Sequence, residues 1–333
     1  MPQKPAGKSR SRQEWNKQET EMKLDSFSNI LRDEAVFRLE QLGKISDSEK
    51  YLQRTFLSPA SIKAGNLIEE WMKDAGLKTW VDQMGNVHGR TDGGNASAPA
   101  LLIGSHLDTV IDAGMYDGSL GIVCALAAIK VLKTTGKVEE LPRPVEVIAF
   151  SDEEGVRFHS TFLGSAAVAG ILAVDILRVS DKSGLTIQDA LRDNAFDGTE
   201  ESLLQLKYDP QSVWGYIEVH IEQGPVLEGH DVPLGVVVGI AGQTRLKVTV
   251  KGSQGHAGTV PMSMRNDPMP AAAEAILLVE KLCKYPEEHL NKGSNYEISR
   301  KGISQGSIVC TIGELASWLG ASNVIPRQVI LTD

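Results

Sequence analysis

Aromatic residues make up only 5% of this 333-residue chain, and 34 Lys+Arg fall short of 43 Asp+Glu, for a formal net charge of −9. A nucleic-acid partner needs a basic face to neutralise phosphates, so this balance argues against one. Cysteine is scarce too: Cys124, Cys283 and Cys310 are odd in number and far apart. The expectation is no disulfide framework and no paired Cys-x-x-Cys metal site, which leaves any site chemistry to His, Asp and Glu. No apolar run approaches the roughly 18 residues that cross a bilayer, and the densest, Val236 to Ile240, has the length of a strand. Residues 1–23 carry almost nothing to bury and read as a disordered tail. They also lack the apolar core of roughly 7–15 residues that a secretory leader needs. Their basic cluster, Lys4, Lys8, Arg10 and Arg12, is diluted by polar residues and reads as a solvated end.

What the chain does have is order in its apolar residues. From Leu24 to Gly76 they recur with the three-to-four rhythm of helices on a core. Lys78 to Asp82 and Asn86 to Arg90 read as a short extended pair. Continuous apolar runs then alternate with helical segments, the pattern of a sheet buried on both faces. The expected strands are Ala100 to Gly104, Val145 to Phe150 and Trp214 to His220; the expected helices are Gly118 to Lys133 and pieces near 161–170 and 186–194. After Gly229 the texture changes. Val232 to Gly252 reads as two long strands, followed by a helix Met269 to Lys284 and strands at Ser307 to Ile312 and Gln328 to Thr332. The expected organisation is therefore a tail (1–23), the N-terminal part of an α/β catalytic, metal-binding domain (24–235), and a small inserted α+β domain (236–333).

Each of the three apolar strands runs into ligand-type residues: Ser105-His106-Leu107-Asp108, Ser151-Asp152-Glu153-Glu154 and His220-Ile221-Glu222. In open α/β sheets the site lies beyond the carboxyl ends of the strands, so the clusters are expected to converge. His106, Asp117, Glu154 and His220 mix imidazole with carboxylate, a donor set suited to Zn, Mn, Co or Ni. Asp117 precedes Gly118 at a helix start, where its two oxygens are free to bridge two ions that would polarise a carbonyl and acidify a water. Asp108 is expected to accept the second ring N–H of His106. Glu153 and Glu154 point different ways in an extended segment, so one can bind metal while the other serves as general base. The sequence pattern leaves open which does which. His256, on a glycine-flanked turn, is the candidate electrophile for an oxyanion.

The stretches GSHLDTVIDAGMYDGSLG, FSDEEGVRFHSTFLGSAA, VHIEQGPVLE and GQTRLKVTVKGSQGHAGTVPMSMRNDP, in that order, resemble the dinuclear-metal amidase superfamily of N-carbamoyl-amino-acid and ureide hydrolases, and within it the plant allantoate deiminase (allantoate amidohydrolase) branch. The resemblance implies a zinc-peptidase-like α/β catalytic domain with an inserted ferredoxin-like dimerisation or lid domain, a homodimer, and two divalent ions per subunit, usually manganese. It implies that His106, Asp117 and His220 hold one ion, that Asp117 and Glu154 hold the other, and that Glu153 is the general base. It implies substrate contacts from Gln243, His256 and Asn323. The implied reaction is hydrolysis of one ureido group of allantoate to ureidoglycine, ammonia and carbon dioxide, in ureide catabolism; ureidoglycolate and N-carbamoyl amino acids are the alternative substrates. Members of the family extend about a hundred residues further, with an arginine and a last metal-binding histidine there. On that reading the second metal site is incomplete here, and a non-catalytic chain that only dimerises is a further alternative. The resemblance implies the endoplasmic reticulum as location, with the cytoplasm as the alternative.

Overall fold

A computed structural model describes residues 27–286, 308–318 and 320–332, so the expected tail (1–23) lies outside the described residues. The chain divides into two compact units, Met1–Pro233 and Leu234–Asp333.

In the first unit, helix α1 (Ala35–Gly43) is followed by α2 (Pro59–Asp74). Ser58 caps α2 by accepting from the Ser61 amide, and Pro59 occupies the first turn, where a missing N–H costs nothing. Ala60, Ala64, Ile68, Trp71 and Met72 recur at helical spacing and form its buried face. Strands β1 (Lys78–Val81) and β2 (Val87–Thr91) pair antiparallel around the turn 82–86. Strand β3 (Ala100–His106), helix α3 (Ser119–Thr134) and strand β4 (Val145–Phe150) then form a strand-helix-strand unit with β3 and β4 parallel. A short helix α4 (Leu163–Ala169) leads to two further short helices, Ile187–Asp193 and Glu200–Leu204, and to β5 (Val213–Ile217), parallel to β3. The sheet order is β1-β2-β4-β3-β5.

Every residue of β4 is buried, including Glu146, the one charged residue in its otherwise apolar run, whose carboxylate is met by His88, Arg90 and Tyr208. The expectation of burial on both faces fails for β5. It lies at the sheet edge, and Trp214, Tyr216 and Ile217 are exposed. It also ends at Ile217, so His220 sits in the irregular stretch beyond it rather than on the strand.

The second unit contains an antiparallel sheet of β6 (Lys247–Lys251), β8 (Glu314–Ser317) and β10 (Gln328–Thr332), ordered β6-β10-β8, and a two-stranded pair of β7 (Gly255–His256) with β9 (Val324–Ile325). Helix α5 (Pro268–Lys284) contributes Ala272 to a small core with Val329 and Leu331. Three expectations are corrected here. Residues 232–246 are not strand: Val236, Val237, Val238 and Ile240 stand almost wholly in solvent, and a strand without a ladder neighbour leaves its backbone groups unpaired. The strand expected at 307–312 lies instead at Glu314–Ser317, where β10 supplies the partner. Cys283 and Cys310 are joined in a disulfide across 27 residues of sequence, which composition and spacing did not suggest; Cys124 is free.

Candidate metal centre

His106 closes β3, and its position is fixed by what packs against it. Gly118, with φ +65°, begins the turn into α3 directly beneath the imidazole; a Cβ there would lie 2.6 Å from ring Nδ1. Only glycine accepts both that backbone conformation and that approach. One residue earlier, Asp117 points back at His106. A Cβ on Gly121 would lie 2.7 Å from the Ser105 Cβ, which shows how closely α3 lies on β3. His220 reaches the same place from beyond β5. Its neighbour Glu218 is held by Ser105 Oγ (2.7 Å) and by the Tyr216 hydroxyl (2.8 Å), both donating to its carboxylate.

The geometry of these three side chains is specific. His106 Nε2 and His220 Nε2 lie 3.4 Å apart, and Asp117 Oδ1 lies 3.6 Å from the first and 3.2 Å from the second. In each ring Nδ1 faces a carbonyl, that of Asp108 at 3.0 Å and that of Ile221 at 2.9 Å. A carbonyl can only accept, so each Nδ1 carries the proton and each Nε2 presents a lone pair. Asp117 Oδ1 is buried and has no hydrogen-bond partner. With both rings neutral, three acceptors converge with no donor among them, an arrangement that a shared cation, whether a proton or a metal ion, satisfies. Donors bound to one ion at about 2.1 Å in a tetrahedral set stand about 3.4 Å from each other, which matches the observed separations. The residues present fit a divalent metal. Asp117 Oδ2 accepts from Gln223 Nε2 at 3.0 Å, leaving Oδ1 for the ion.

The other cluster follows β4. Glu153 and Glu154 fall with His106 in a second candidate ligand group, whereas no such group among the described residues contains both Asp117 and Glu154, the pair implied by the motif resemblance. Asp108 does not do what was expected of it. Its carboxylate lies 3.6 Å from His106 Nδ1, which bonds instead to the Asp108 main-chain carbonyl; the carboxylate accepts from the amides of Glu153 (2.9 Å) and Glu154 (3.0 Å). The reason is positional. With Nδ1 already met by a carbonyl two residues away, the carboxylate is free to close over the loop that leaves β4.

That loop is held from its other side by Asn86. The buried Oδ1 accepts from the Ser151 amide (2.9 Å), and Nδ2 donates to Asp82 (2.7 Å) and to the Gly164 carbonyl (3.2 Å). Asp82 in turn meets His88 Nε2 at 3.2 Å, while Glu146 meets His88 Nδ1 at 3.0 Å and also accepts from Tyr208 and Arg90. Burial opposes charge on His88, but the two carboxylates outweigh it and hold the ring above its ordinary pKa.

Electrostatics at the centre favour a cation. Burial lowers the tendency of His106 to ionise, yet Asp108, Asp117 and Glu153 overcome it and push the ring up to about 11, so that at neutral pH a proton takes the place at Nε2 that a metal ion would fill. Burial raises the Glu153 carboxyl above the usual range, with His106 opposing and Asp108 reinforcing, and Glu154 is raised by burial as well. Asp152 is buried with neither oxygen partnered and is pushed up to about 8, by burial and then by the charge of Asp108.

The remaining site candidates lie in the second unit. His256 is in β7 opposite Val324, its Nδ1 accepts from the Gly258 amide (3.0 Å), and the Ala257 amide donates to the Asn323 carbonyl (3.0 Å), so His256 and Asn323 are neighbours. Gln243 is exposed in the irregular stretch before β6. The sequence pattern did not single out Gln223, Glu218, Ser105 or Asn86. Gln223 does lie within HIEQG, where a neutral donor among acids was the available clue.

Comparison with known proteins bears on both units. Sequence profiles of Peptidase family M28 and of the peptidase dimerisation domain match residues 86–200 and 238–332. The chain is 66% identical over 312 residues to Allantoate deiminase 2 of Glycine max, covering 94% of this chain and 65% of that protein. It is 36% identical over 308 residues to the N-carbamoyl-L-amino-acid amidohydrolase of Pseudomonas sp. (strain NS671), covering 91% of this chain and 69% of that protein. Among solved structures, a hydantoinase/carbamoylase family amidase from Burkholderia ambifaria superposes with a TM-score of 0.70 at 32% identity, covering 90% of this chain and 68% of its own. The chain therefore spans about two thirds of the length of the relatives it matches.

Proposed function

This chain belongs to the hydantoinase/carbamoylase family of amidases, and from that premise we propose that the protein hydrolyses one ureido group of allantoate, yielding ureidoglycine, ammonia and carbon dioxide. The observation that carries the reading is the convergence of His106 Nε2, His220 Nε2 and Asp117 Oδ1, three acceptors without a donor, beside Glu153. The choice of substrate is supported by the 66% identity to a soybean allantoate deiminase, against 36% to a carbamoyl-amino-acid hydrolase.

His106, Asp117 and His220 would hold a divalent ion. When bound, such an ion polarises the ureido carbonyl and lowers the pKa of a water toward neutrality. Glu153 takes the proton from the attacking water and returns it to the departing nitrogen. Its burial raises its basicity toward that task, and the Asp108 carboxylate fixes its backbone amide. Glu154 and Asp117 are the proposed ligands of a second ion, and manganese is the proposed metal. The substrate-contact roles proposed for Gln243, His256 and Asn323 rest on the motif resemblance alone. A homodimer is proposed on the match to the peptidase dimerisation domain. Residence in the endoplasmic reticulum is proposed by likeness to plant relatives, and imaging of a tagged whole protein tests it.

Ammonia release from allantoate, compared with hydrolysis of N-carbamoyl amino acids and ureidoglycolate by the same manganese-loaded protein, tests the substrate. Preferential turnover of allantoate is the expected result. Cleavage of N-carbamoyl amino acids with allantoate left intact would overturn the assignment.

A further inference from the structure

Arg54 lies in the loop between α1 and α2, where an arginine in a polar stretch is expected to face water. It is instead 1% exposed. None of the hydrogen bonds of its guanidinium goes to a carboxylate. Nε donates to the Leu107 carbonyl (2.9 Å), Nη1 to the carbonyls of Leu42 (2.7 Å) and Ile45 (3.3 Å), and Nη2 to Ser119 Oγ (3.2 Å). Its backbone is tied to the same neighbourhood: the Arg54 amide donates to Thr109 Oγ1 (2.8 Å), and the Thr109 amide donates to the Arg54 carbonyl (2.9 Å).

The recipients define what the group does. Leu42 and Ile45 are at the carboxyl end of α1, where unpaired carbonyls and the helix dipole favour a cation. Leu107 directly follows His106. Ser119 comes two residues after Asp117. One planar, fixed fork therefore spans the segment that leaves β3 and the first turn of α3, each of which presents a ligand of the triad. Burial lowers the Arg54 pKa to about 10, with Asp108 and Asp47 resisting, so the group is charged at neutral pH.

We propose that Arg54 is a positioning residue for the metal centre: by joining the exit of β3 to the start of α3 through Leu107 and Ser119, it sets His106 against Asp117 and thereby the affinity of the triad for a divalent cation. The inference rests on the metal-binding reading above and adds to it a residue that touches neither ion nor substrate. Lysine keeps the charge but not the fork, so Arg54→Lys separates geometry from charge. A role confined to holding the loop together would lower thermal stability and leave ion affinity alone.

The test is calorimetric titration of the metal-free chain with MnCl2, with thermal melting measured on the same samples. Arg54→Lys is expected to weaken Mn2+ binding by roughly 10–100-fold, the usual cost of removing a partner that orients a ligand. Ser119→Ala removes one bond of the fork at the start of a helix and is expected to weaken binding by roughly tenfold or less, in the same direction. Leu191→Ala, in a separate core cluster, is expected to lower the melting temperature without changing the affinity. Folded Arg54→Lys protein that binds Mn2+ within about twofold of wild type would overturn the proposal; should that variant not fold, unchanged affinity in Ser119→Ala would do so. A wild-type chain that binds no Mn2+ would instead remove the metal reading itself, so the two failures are distinguishable.

Discussion

His106, at the end of β3, keeps only 3% of its side chain in solvent, whereas His220, three residues past the end of β5, keeps 29%. Both present Nε2 to Asp117, yet the ground beneath them differs. The β3 and β4 exits are enclosed by Arg54, Asp108, Asn86 and Ser151, all buried or nearly so, and every one of them bonds to a ligand-bearing segment. The stretch after β5 rests on Glu218, Ser105 and Tyr216 and on an edge strand with three exposed apolar residues. The difference teaches that half of this centre is held in place by buried polar bonds before any ion arrives, while the other half has less to constrain it. Such an arrangement lets one side set the geometry and the other side adapt.

The contrast can be broken or sharpened by experiment. The largest effect is expected from Glu153→Gln, on the rigid side. It removes the proton carrier without removing a triad ligand, and turnover of allantoate should fall by about 10²–10⁴-fold or more while calorimetry still shows Mn2+ bound. Asp108→Asn should come next. It replaces one of the two acceptors over the Glu153 and Glu154 amides with a donor, and is expected to reduce Mn2+ affinity by roughly 10–100-fold. The comparison of histidines itself follows. His106→Ala and His220→Ala should both weaken metal binding, but chemical denaturation of the metal-free proteins should show a loss of about 1–3 kcal/mol for the buried His106 and little for His220. Equal losses would mean that the two sides are equally ordered.

The smallest effect concerns pH. The folded-state pKa of His88 lies above its ordinary value of about 6.5, so folding takes up a proton there. Its contribution to stability is complete below about pH 6.5 and is lost as pH rises through the raised value. Melting temperatures of the metal-loaded protein should therefore decline on the alkaline side, and His88→Gln should flatten that part of the profile while lowering it throughout.

Much of this was legible in residue pattern. The limits of β4, Val145 and Phe150, coincide with the expected strand, because a strand buried on both faces is mostly apolar and admits a charge such as Glu146 only where partners satisfy it. The helices α2, α3 and α5 follow from apolar spacing. Ligand-type residues at the ends of β3 and β4 meet because parallel pairing sets those ends side by side, His106 opposite Phe150. What was not legible depends on partners distant in sequence. Asp108 bonds to amides 45 and 46 residues away rather than to the nearby imidazole. Arg54 and Asn86 look like ordinary surface polar residues until the fold closes over them. Residues 232–246 have strand composition, but composition cannot supply a neighbouring strand.

The central claim is that three acceptors from β3, the start of α3 and the stretch beyond β5 share one divalent cation. Anomalous diffraction from crystals grown with Mn2+ tests it most directly. A peak is expected within bonding distance of His106 Nε2, His220 Nε2 and Asp117 Oδ1 together; a peak that excludes any of the three, or none at all in manganese-saturated crystals, would contradict a shared ion.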